Sequence, residues 1–404
     1  MSGSHPQTDG DTLDFDKIYF DMDGVLADFN KGVMDVPMRM TRREKTTATT
    51  VYHRHTKRSR YSSNRERCLE LFEFVFSHCT KNIYIFGMII QENVPMREHT
   101  SFKVGGPARY FIKTESIDDI KEAVQFAKAH ALPNFILGKG TNLLVSDSGY
   151  NGVIIQLGKF FSEITNLGNG KICAKGATPL ARLARYTINE GLAGIHKLAG
   201  IPGSLGGAIY MNAGAYGQDI SQTCVEVETI DANGNIRTRT AQECAFGYRH
   251  SIFQELAASA TSAASATSTE SAETILSATF QLTAAASLGK TAQDLESEMQ
   301  ECMTKRRNSQ PLSMPNAGST FKRLDAGAAA TPTQIAPGYY IEQAGLKGFR
   351  IGGAEVSQVH ANFIVNADNA TAADIKALSE HVQKVVAEKF GIQLKREIIL
   401  LGNF

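Results

Sequence analysis

Regular spacing of hydrophobic and polar positions begins near Asn93, and it predicts both helices and strands. A helix is predicted to begin at Ile117, because apolar residues recur there at helical spacing after the capping sequence SIDD. Pro179 is predicted to open a second helix, and Gly191 is predicted to stop it.

Short apolar runs between and after these helices have the length of β-strands. They are FILGKG, GVIIQL, KICAKG and ILSATFQL, and VEVETIDANGNIRTRT has the pattern of a hairpin that turns at Asn233 and Gly234. Residues 255–274, ELAASATSAASATSTESAET, are of low complexity and are predicted to form a solvent-exposed loop. The mixture of elements predicts the α+β fold class.

Composition and charge exclude several classes of protein. The 404 residues, of which 42% are hydrophobic, suffice for two or three domains with cores of their own. Ten Lys or Arg lie in residues 39–67, so the rest of the chain is mildly acidic and no nucleic-acid partner is expected. The most apolar candidate for a membrane helix contains Glu70, Glu73 and Lys81, so no membrane span is expected.

The cysteines and the start of the chain indicate a reducing compartment. The six cysteines show no CxxC spacing, so neither disulfides nor a structural metal site is expected. No signal peptide precedes them, and a cytoplasmic location is therefore predicted.

The N-terminal stretch FDKIYFDMDGVLADF, residues 15–29, resembles the start of a haloacid-dehalogenase-type phosphohydrolase. In that family the first aspartate, here Asp21, attacks phosphorus and the second, here Asp23, moves the proton. Such an enzyme needs a doubly wound sheet with further catalytic groups, whereas the residues that follow lack apolar periodicity and are predicted to be disordered. Residues 1–90 are therefore interpreted as an extension with a truncated fragment, and a strand followed by a turn is the alternative.

Two glycine-rich stretches have the features of ligand-binding loops. In ILGKGTNLLV, Gly138 and Gly140 leave backbone N–H groups open to an anionic group, although GKG is also an ordinary turn. AGIPGSLGGAIYMNAGAYG, residues 199–217, suits close backbone contact with a flat ligand and its diphosphate. Tight packing of small residues in the core is the alternative for this stretch.

Six motifs in a fixed order then resemble one family. They are HTSFKVGGPARYF, ILGKGTNLLVSDSGYNGVII, GIPGSLGGAIYMNAGAYG, FGYRHSIF, NAGSTFK and AGLKGFRIGGAEVSQVHANFIVN. From about residue 91 to 404 the chain resembles the UDP-N-acetylenolpyruvoylglucosamine reductases. The resemblance implies an FAD-binding domain of the vanillyl-alcohol oxidase (PCMH) type at 91–285 and a C-terminal α+β substrate domain at 286–404. It also implies NADPH-dependent reduction of a UDP-sugar in peptidoglycan precursor synthesis.

The resemblance also assigns roles to three residues. Arg249, in GYRHS, is expected to stabilise negative charge on the substrate carboxylate, because its planar fork suits that group. Ser319, in AGSTFK, is expected to protonate the carbanion that forms. Glu397, in LKREI, is expected to orient the enol and assist the protonation. Without the resemblance, these residues would be interpreted as a surface arginine, a turn serine and a solvated strand charge.

The binding residues follow from the same resemblance. FAD is expected to contact Gly138, Lys139, Gly140, Thr141, Asn142, Gly203, Ser204, Gly207, Asn212, Gly214 and Ala215. The substrate is expected to contact Tyr248, Arg307 and Lys322. Arg307 lies in a basic cluster with Lys305 and Arg306, which suits the phosphates of the substrate or of NADPH, and a solvated helix end is the alternative.

Three function hypotheses from different classes remain. The first is the flavin-dependent reductase, and the second is a phosphohydrolase that acts through Asp21. The third is a flavin-binding or scaffold protein without catalytic activity. The complete set of Arg249, Ser319 and Glu397 disfavours the third hypothesis.

Overall fold

The computed structural model describes residues 82–85, 88–261, 272–324 and 336–404. The chain divides into two units, Met1–Glu92 and Asn93–Phe404. Asp21 and Asp23, on which the phosphohydrolase hypothesis depends, lie outside the described residues. The site described below lies within the second unit.

The predicted helices are present where their capping signals place them. The Ser116 hydroxyl accepts from the Asp119 N–H at 3.1 Å, and the Asp119 carboxylate accepts from the Ser116 N–H at 3.0 Å, which confirms the capping box. The second predicted helix ends just before Gly191, which has a φ of 68°. The described α-helices are Ile117–Ala129, Leu180–Asn189, Leu205–Tyr210, Ile252–Thr261, Ala292–Ser309, Pro337–Gln343 and Ala372–Phe390.

The predicted strands are also present. Asn233 and Gly234 join two antiparallel strands in which Ile230 pairs with Ile236, so the hairpin is confirmed. The described strands are Asn82–Ile85, Met88–Pro95, Pro107–Thr114, Asn134–Leu137, Leu143–Val145, Tyr150–Leu157, Ile164–Gly168, Lys171–Lys175, Leu192–Ala193, Gly214–Ala215, Gln218–Asp219, Cys224–Asp231, Ile236–Thr240, Glu273–Gln281, Thr283–Ala284, Arg350–Ile351, Ala354–Val356, Ile364–Asn366 and Ile399–Leu401.

Two larger sheets position the glycine-rich loops. Tyr150–Leu157 lies between Pro107–Thr114 and Asn134–Leu137 and pairs with both in parallel. The second sheet is antiparallel, in the order Ile236–Thr240, Cys224–Asp231, Glu273–Gln281, Lys171–Lys175 and Ile164–Gly168. The loop at 138–142 follows a strand of the first sheet, so that sheet fixes where the loop begins.

A hydrophobic core lies against the second sheet. Leu183 and Ile188, from the helix Leu180–Asn189, are buried there. Leu295 and Met299, from the helix Ala292–Ser309, are buried in the same core. The buried side chains of Leu295 and Met299 therefore fix the orientation of the helix Ala292–Ser309 against this core.

The C-terminal part forms a second core around a small antiparallel sheet. That sheet joins Arg350–Ile351, Ala354–Val356 and Ile364–Asn366, and the helix Ala372–Phe390 packs against it. The strand Ile399–Leu401 leaves this region and pairs in parallel with Leu143–Val145, directly after the first glycine-rich loop. The α+β class is therefore confirmed. None of the helices within the described ranges has both the length and the apolar composition to cross a bilayer.

The prediction of a loop at residues 255–274 is wrong for the first part of that range, which is helical. The helix Ile252–Thr261 extends into it, because Phe253 and Leu256 are buried in the core and the alanine-rich sequence favours a helix. Residues 262–271 lie outside the described residues.

Candidate active site

A large cleft in the second unit is lined by all three predicted catalytic residues, Arg249, Ser319 and Glu397. Its volume is about 1990 Å³, whereas a site for one small molecule typically has roughly 300–1,000 Å³. The glycine-rich loops and the segment 312–319 form its walls. The cleft is therefore large enough for two extended ligands at once.

The first glycine-rich loop brings the backbone unusually close to its neighbours. Gly140 has a φ of 62°, and a Cβ atom there would lie 2.0 Å from the carbonyl oxygen of His99. A Cβ atom on Gly138 would lie 2.7 Å from Oγ of Ser204, in the second loop. Glycine is needed at Gly140 for steric reasons, and a side chain at Gly138 would have to displace the Ser204 hydroxyl.

The two loops together form a cradle for phosphate oxygens. The Thr141 hydroxyl donates to the carbonyl oxygen of Pro202 at 2.9 Å, which holds the loops side by side. Among the described residues, no acceptor takes the backbone N–H groups of residues 139–142, of Gly203 or of Ser204. Neighbouring N–H groups without partners bind anions, so these residues fit the diphosphate of a dinucleotide such as FAD.

Alanine in place of Gly138 is expected to lower the affinity for FAD about tenfold, because its Cβ would displace Ser204 in the cradle. The dissociation constant of FAD measures the effect. Ser204→Ala alone is the control, and the double variant is expected to recover part of the loss, since Cβ of Ser204 lies 4.0 Å from the added atom. Unchanged affinity in Gly138→Ala would show that the two loops do not hold the cofactor.

Arg249 is held rigidly at the cleft. Its φ of 53° is in the left-handed region, and its guanidinium donates to Glu397 Oε1 at 2.9 Å and to the carbonyl oxygens of Gly214 and Asn212 at 3.0 and 3.5 Å. A guanidinium has five N–H groups. Among the described residues, the other two N–H groups, one on each terminal nitrogen, have no partner.

The carboxyl group of Glu397 is mostly buried behind this arginine. Burial raises the pKa of Glu397, and the charges of Arg249 and Lys322 act in the opposite direction. A carboxyl group whose pKa lies above its usual range holds a proton closer to neutral pH. Glu397 is therefore suited both to orient Arg249 and to take part in proton transfer.

Backbone pairing brings Ser319 to the same place. The Glu397 N–H donates to the carbonyl oxygen of Thr320 at 2.8 Å, and Phe321 forms an antiparallel bridge with Arg396. Ser319 is half-buried, and within the described ranges its hydroxyl has no hydrogen-bond partner. The hydroxyl is therefore available to a ligand.

Most of the predicted cofactor residues reach the cleft, but Asn212 does not. The Asn212 side chain donates to the Gly247 carbonyl oxygen at 2.9 Å and accepts from the Ser221 N–H at 3.0 Å, so it ties two loops together. The predicted cofactor residues that line the cleft are Gly138, Lys139, Gly140, Thr141, Asn142, Gly203, Ser204, Gly207, Gly214 and Ala215.

The three predicted substrate residues, Tyr248, Arg307 and Lys322, are not among the residues that line the cleft. Tyr248 and Lys322 flank Arg249: the guanidinium carbon lies 5.2 Å from the Tyr248 ring, and Lys322 Nζ donates to the Arg249 carbonyl oxygen at 3.5 Å. Arg307 is exposed, and the preceding residue, Arg306, lines the cleft instead. Leu295, Met299 and Cys302 are buried on one face of the helix, and Arg306 continues their helical spacing whereas Arg307 does not. This spacing is the sequence signal that could have favoured Arg306 over Arg307 as the residue that faces the cleft.

Two family models match the chain. The FAD binding domain matches residues 108–239, which contain both glycine-rich loops. The C-terminal domain of UDP-N-acetylenolpyruvoylglucosamine reductase matches residues 310–401, which contain Ser319 and Glu397.

Whole proteins of the same family are similar over most of the second unit. The UDP-N-acetylenolpyruvoylglucosamine reductase of Caldanaerobacter subterraneus is 40% identical over 315 residues, 77% of this chain and 93% of the relative. That of Syntrophomonas wolfei is 38% identical over 314 residues, 78% of this chain and 95% of the relative. The crystal structure of the Thermus caldophilus reductase covers 78% of this chain and 100% of its own, with 28% identity and a TM-score of 0.62. The chain belongs to the UDP-N-acetylenolpyruvoylglucosamine reductase family and is an FAD-dependent oxidoreductase.

Proposed function

We propose that the chain reduces UDP-N-acetylglucosamine enolpyruvate to UDP-N-acetylmuramate, with NADPH as the reductant, in peptidoglycan precursor synthesis in the cytoplasm. The observation that carries the proposal is the group of Arg249, Glu397 and Ser319 at one cleft, beside a cradle that fits a dinucleotide. Bound FAD supplies the reducing equivalents. The protein must then hold a carboxylate and deliver a proton.

Arg249 is proposed to bind the substrate carboxylate. Reduction of the enolpyruvyl double bond places negative charge on the carbon next to that carboxylate, and the charge spreads onto it. The two N–H groups that Arg249 keeps free can bind the carboxylate in bidentate fashion. Its other N–H groups donate to Glu397 and to two backbone carbonyl oxygens. These bonds orient the positively charged guanidinium before the substrate binds.

Ser319 is proposed to give the proton to that carbon. Ser319 lines the cleft together with Glu397, and the next residue, Thr320, accepts a hydrogen bond from the Glu397 N–H. Lys322 contributes a second positive charge behind Arg249. A hydroxyl is a weak acid, but a strongly basic carbanion needs mainly a donor in the right position.

An assay of NADPH oxidation tests the proposed function. The purified protein is expected to be yellow and to oxidise NADPH when the enolpyruvyl UDP-sugar is added, and UDP-N-acetylmuramate is the product to be identified. Yellow protein without substrate-dependent oxidation would favour a non-catalytic flavin protein. Colourless protein that releases phosphate with magnesium would favour the phosphohydrolase hypothesis.

A chain shortened to begin at Met88 is expected to keep the FAD content and the reductase activity of the full chain. The shortened chain retains the strand Met88–Pro95 and the whole second unit, which contains the cleft. FAD content and NADPH oxidation are measured side by side with the full chain. Loss of FAD from the shortened chain would show that residues 1–87 contribute to the fold.

A further inference from the structure

Arg249 lies in a tight turn of four residues. The Gly247 N–H donates to the His250 carbonyl oxygen at 3.0 Å, and the His250 N–H donates to the Gly247 carbonyl oxygen at 3.2 Å. Tyr248 and Arg249 therefore occupy the two central positions, and Arg249 is in the left-handed region with a φ of 53°. That conformation is unfavourable for a residue with a Cβ atom, so it persists only where the surroundings stabilise it.

The Asn212 side chain stabilises the first residue of this turn. Its amide nitrogen donates to the Gly247 carbonyl oxygen at 2.9 Å. The same oxygen accepts the His250 N–H, so it has one partner within the turn and one outside it. A carbonyl oxygen has two lone pairs, and both are used here. Rotation of the peptide group after Gly247 would therefore break both hydrogen bonds.

The Asn212 backbone contacts the guanidinium of the same arginine. The Asn212 carbonyl oxygen accepts from Arg249 Nη1 at 3.5 Å, and the Gly214 carbonyl oxygen accepts from Nη2 at 3.0 Å. Asn212 therefore bonds to the turn through its side chain and to the tip of the arginine through its main chain. One residue thus relates the position of the Arg249 backbone to the position of its charge.

Asn212 is itself held in place. It is buried, with an exposed fraction of 4%, and its Oδ1 accepts from the Ser221 N–H at 3.0 Å, which determines which end of the amide faces Gly247. Its φ of 41° is in the left-handed region, which asparagine adopts more readily than most residues. Its N–H donates to the Ile209 carbonyl oxygen at 3.1 Å. The amide is therefore oriented before any ligand binds.

Different side chains hold the other end of the turn. The Ser251 hydroxyl donates to the Tyr210 carbonyl oxygen at 2.7 Å. The Gln254 amide donates to the same oxygen at 2.8 Å and to the Arg249 carbonyl oxygen at 3.2 Å. Loss of the Asn212 side chain would therefore release the Gly247 end of the turn and leave the other end attached.

We propose that Asn212 is a positioning residue for reduction of the substrate and that it acts through Arg249. Arg249 lines the cleft, whereas Asn212 does not. Asn212 keeps the turn and the guanidinium in the arrangement in which Arg249 binds the substrate carboxylate. The inference rests on the proposed function, since it names a further residue on which that binding depends.

Variants of the full-length holoprotein test this role. Asn212→Gly removes the amide, and glycine adopts a positive φ without steric cost. Asn212→Asp keeps an acceptor for the Ser221 N–H, but an ionised carboxylate has no donor for Gly247. Asn169→Gly is the matched control, because Asn169 is also an asparagine with a positive φ, 50°, and is exposed.

Both Asn212 variants are expected to slow reduction of the enolpyruvyl substrate by about 10- to 100-fold, since misplacement of a group by about 1 Å can cost 10²-fold. The FAD content and the rate at which NADPH reduces the bound FAD are expected to stay at the parent values, because Arg249 acts on the substrate. Asn169→Gly is expected to change none of these quantities. Rapid mixing at the flavin absorption band measures both rates.

A double variant shows whether Asn212 acts through Arg249. In a chain that already carries Arg249→Ala, Asn212→Gly is expected to cause no further loss of rate, because the group that it positions is absent. A merely structural role would slow the double variant further. Equal losses from Asn212→Gly in the two backgrounds would overturn the proposal, and so would loss of FAD from the single variant.

A crystal structure of Asn212→Gly gives a result that does not depend on the proposed function. Arg249 Nε is expected to lie beyond hydrogen-bond distance of Glu397 Oε1, from which it is 2.9 Å away in the parent. An unmoved guanidinium would overturn the positioning role. Failure of the parent to reduce the enolpyruvyl substrate would instead contradict the proposed function, and the structure of the variant would still decide whether Asn212 positions Arg249.

Discussion

Ser319→Ala is expected to slow reduction of the enolpyruvyl substrate by roughly 10²–10⁴, the usual contribution of a positioned proton donor. The reason is that Ser319 lines the cleft with a hydroxyl that has no other partner among the described residues. The rate at which NADPH bleaches the bound FAD is expected to stay near that of the parent, since this step needs no proton for the substrate. Rapid mixing measures both rates at the flavin absorption band.

Ser313→Ala is the matched control for this prediction. Ser313 lies in the same segment, lines the same cleft and is exposed, so its loss is expected to leave both rates unchanged. Reduction of the substrate at the parent rate in Ser319→Ala, or slowing of the bleaching step alone, would exclude Ser319 as the donor. Glu397, whose pKa is raised by burial, would then be the next candidate.

Arg249→Lys is expected to lower kcat/KM by roughly 10²–10³, the size found when one oriented donor is removed from a site of developing charge. An ammonium group cannot keep the hydrogen bonds to Glu397, Gly214 and Asn212 and also bind a carboxylate with two parallel N–H groups. Steady-state kinetics measure the change.

Arg323→Lys is the matched control, because Arg323, like Arg249, lies near the ring of Tyr248. The guanidinium carbon of Arg323 lies 5.8 Å from the Tyr248 ring, and Arg323 is exposed. Its replacement is expected to leave kcat/KM close to the parent value, and both variants are expected to retain FAD. If Arg249→Lys kept most of the parental activity, Arg249 would not bind the reacting carboxylate.

Local signals in the sequence predicted most of the elements correctly. The capping box at Ser116 and the hairpin at Gly234 each depend on a few neighbouring residues, so they can be recognised without the fold. The helix Ile252–Thr261 was missed because its low-complexity sequence hides the two side chains that the core buries. The pairing of Ile399–Leu401 with Leu143–Val145 joins distant segments, and no local pattern encodes it.

Less of the candidate active site than of the secondary structure can be predicted from local sequence alone. The glycine-rich loop was recognised from its residues, since close backbone contact restricts what can stand at Gly138 and Gly140. The roles of the catalytic residues came from resemblance, because an isolated serine or glutamate carries no local sign of the cleft. The Asn212 side chain bonds to residues of two other loops, and only the fold determines that direction.

The pairing of Ile399–Leu401 also bears on how the protein matures on the ribosome. This strand supports the loop that cradles the diphosphate: the Ile399 N–H donates to the Asn142 carbonyl oxygen at 2.9 Å, and the Asn142 side chain donates to the backbone carbonyl oxygen of Glu397 at 3.1 Å. Synthesis proceeds from the N-terminus, so the loop emerges long before the strand that supports it. The loop therefore reaches its final supported geometry only after the strand Ile399–Leu401 has been made and has paired with Leu143–Val145.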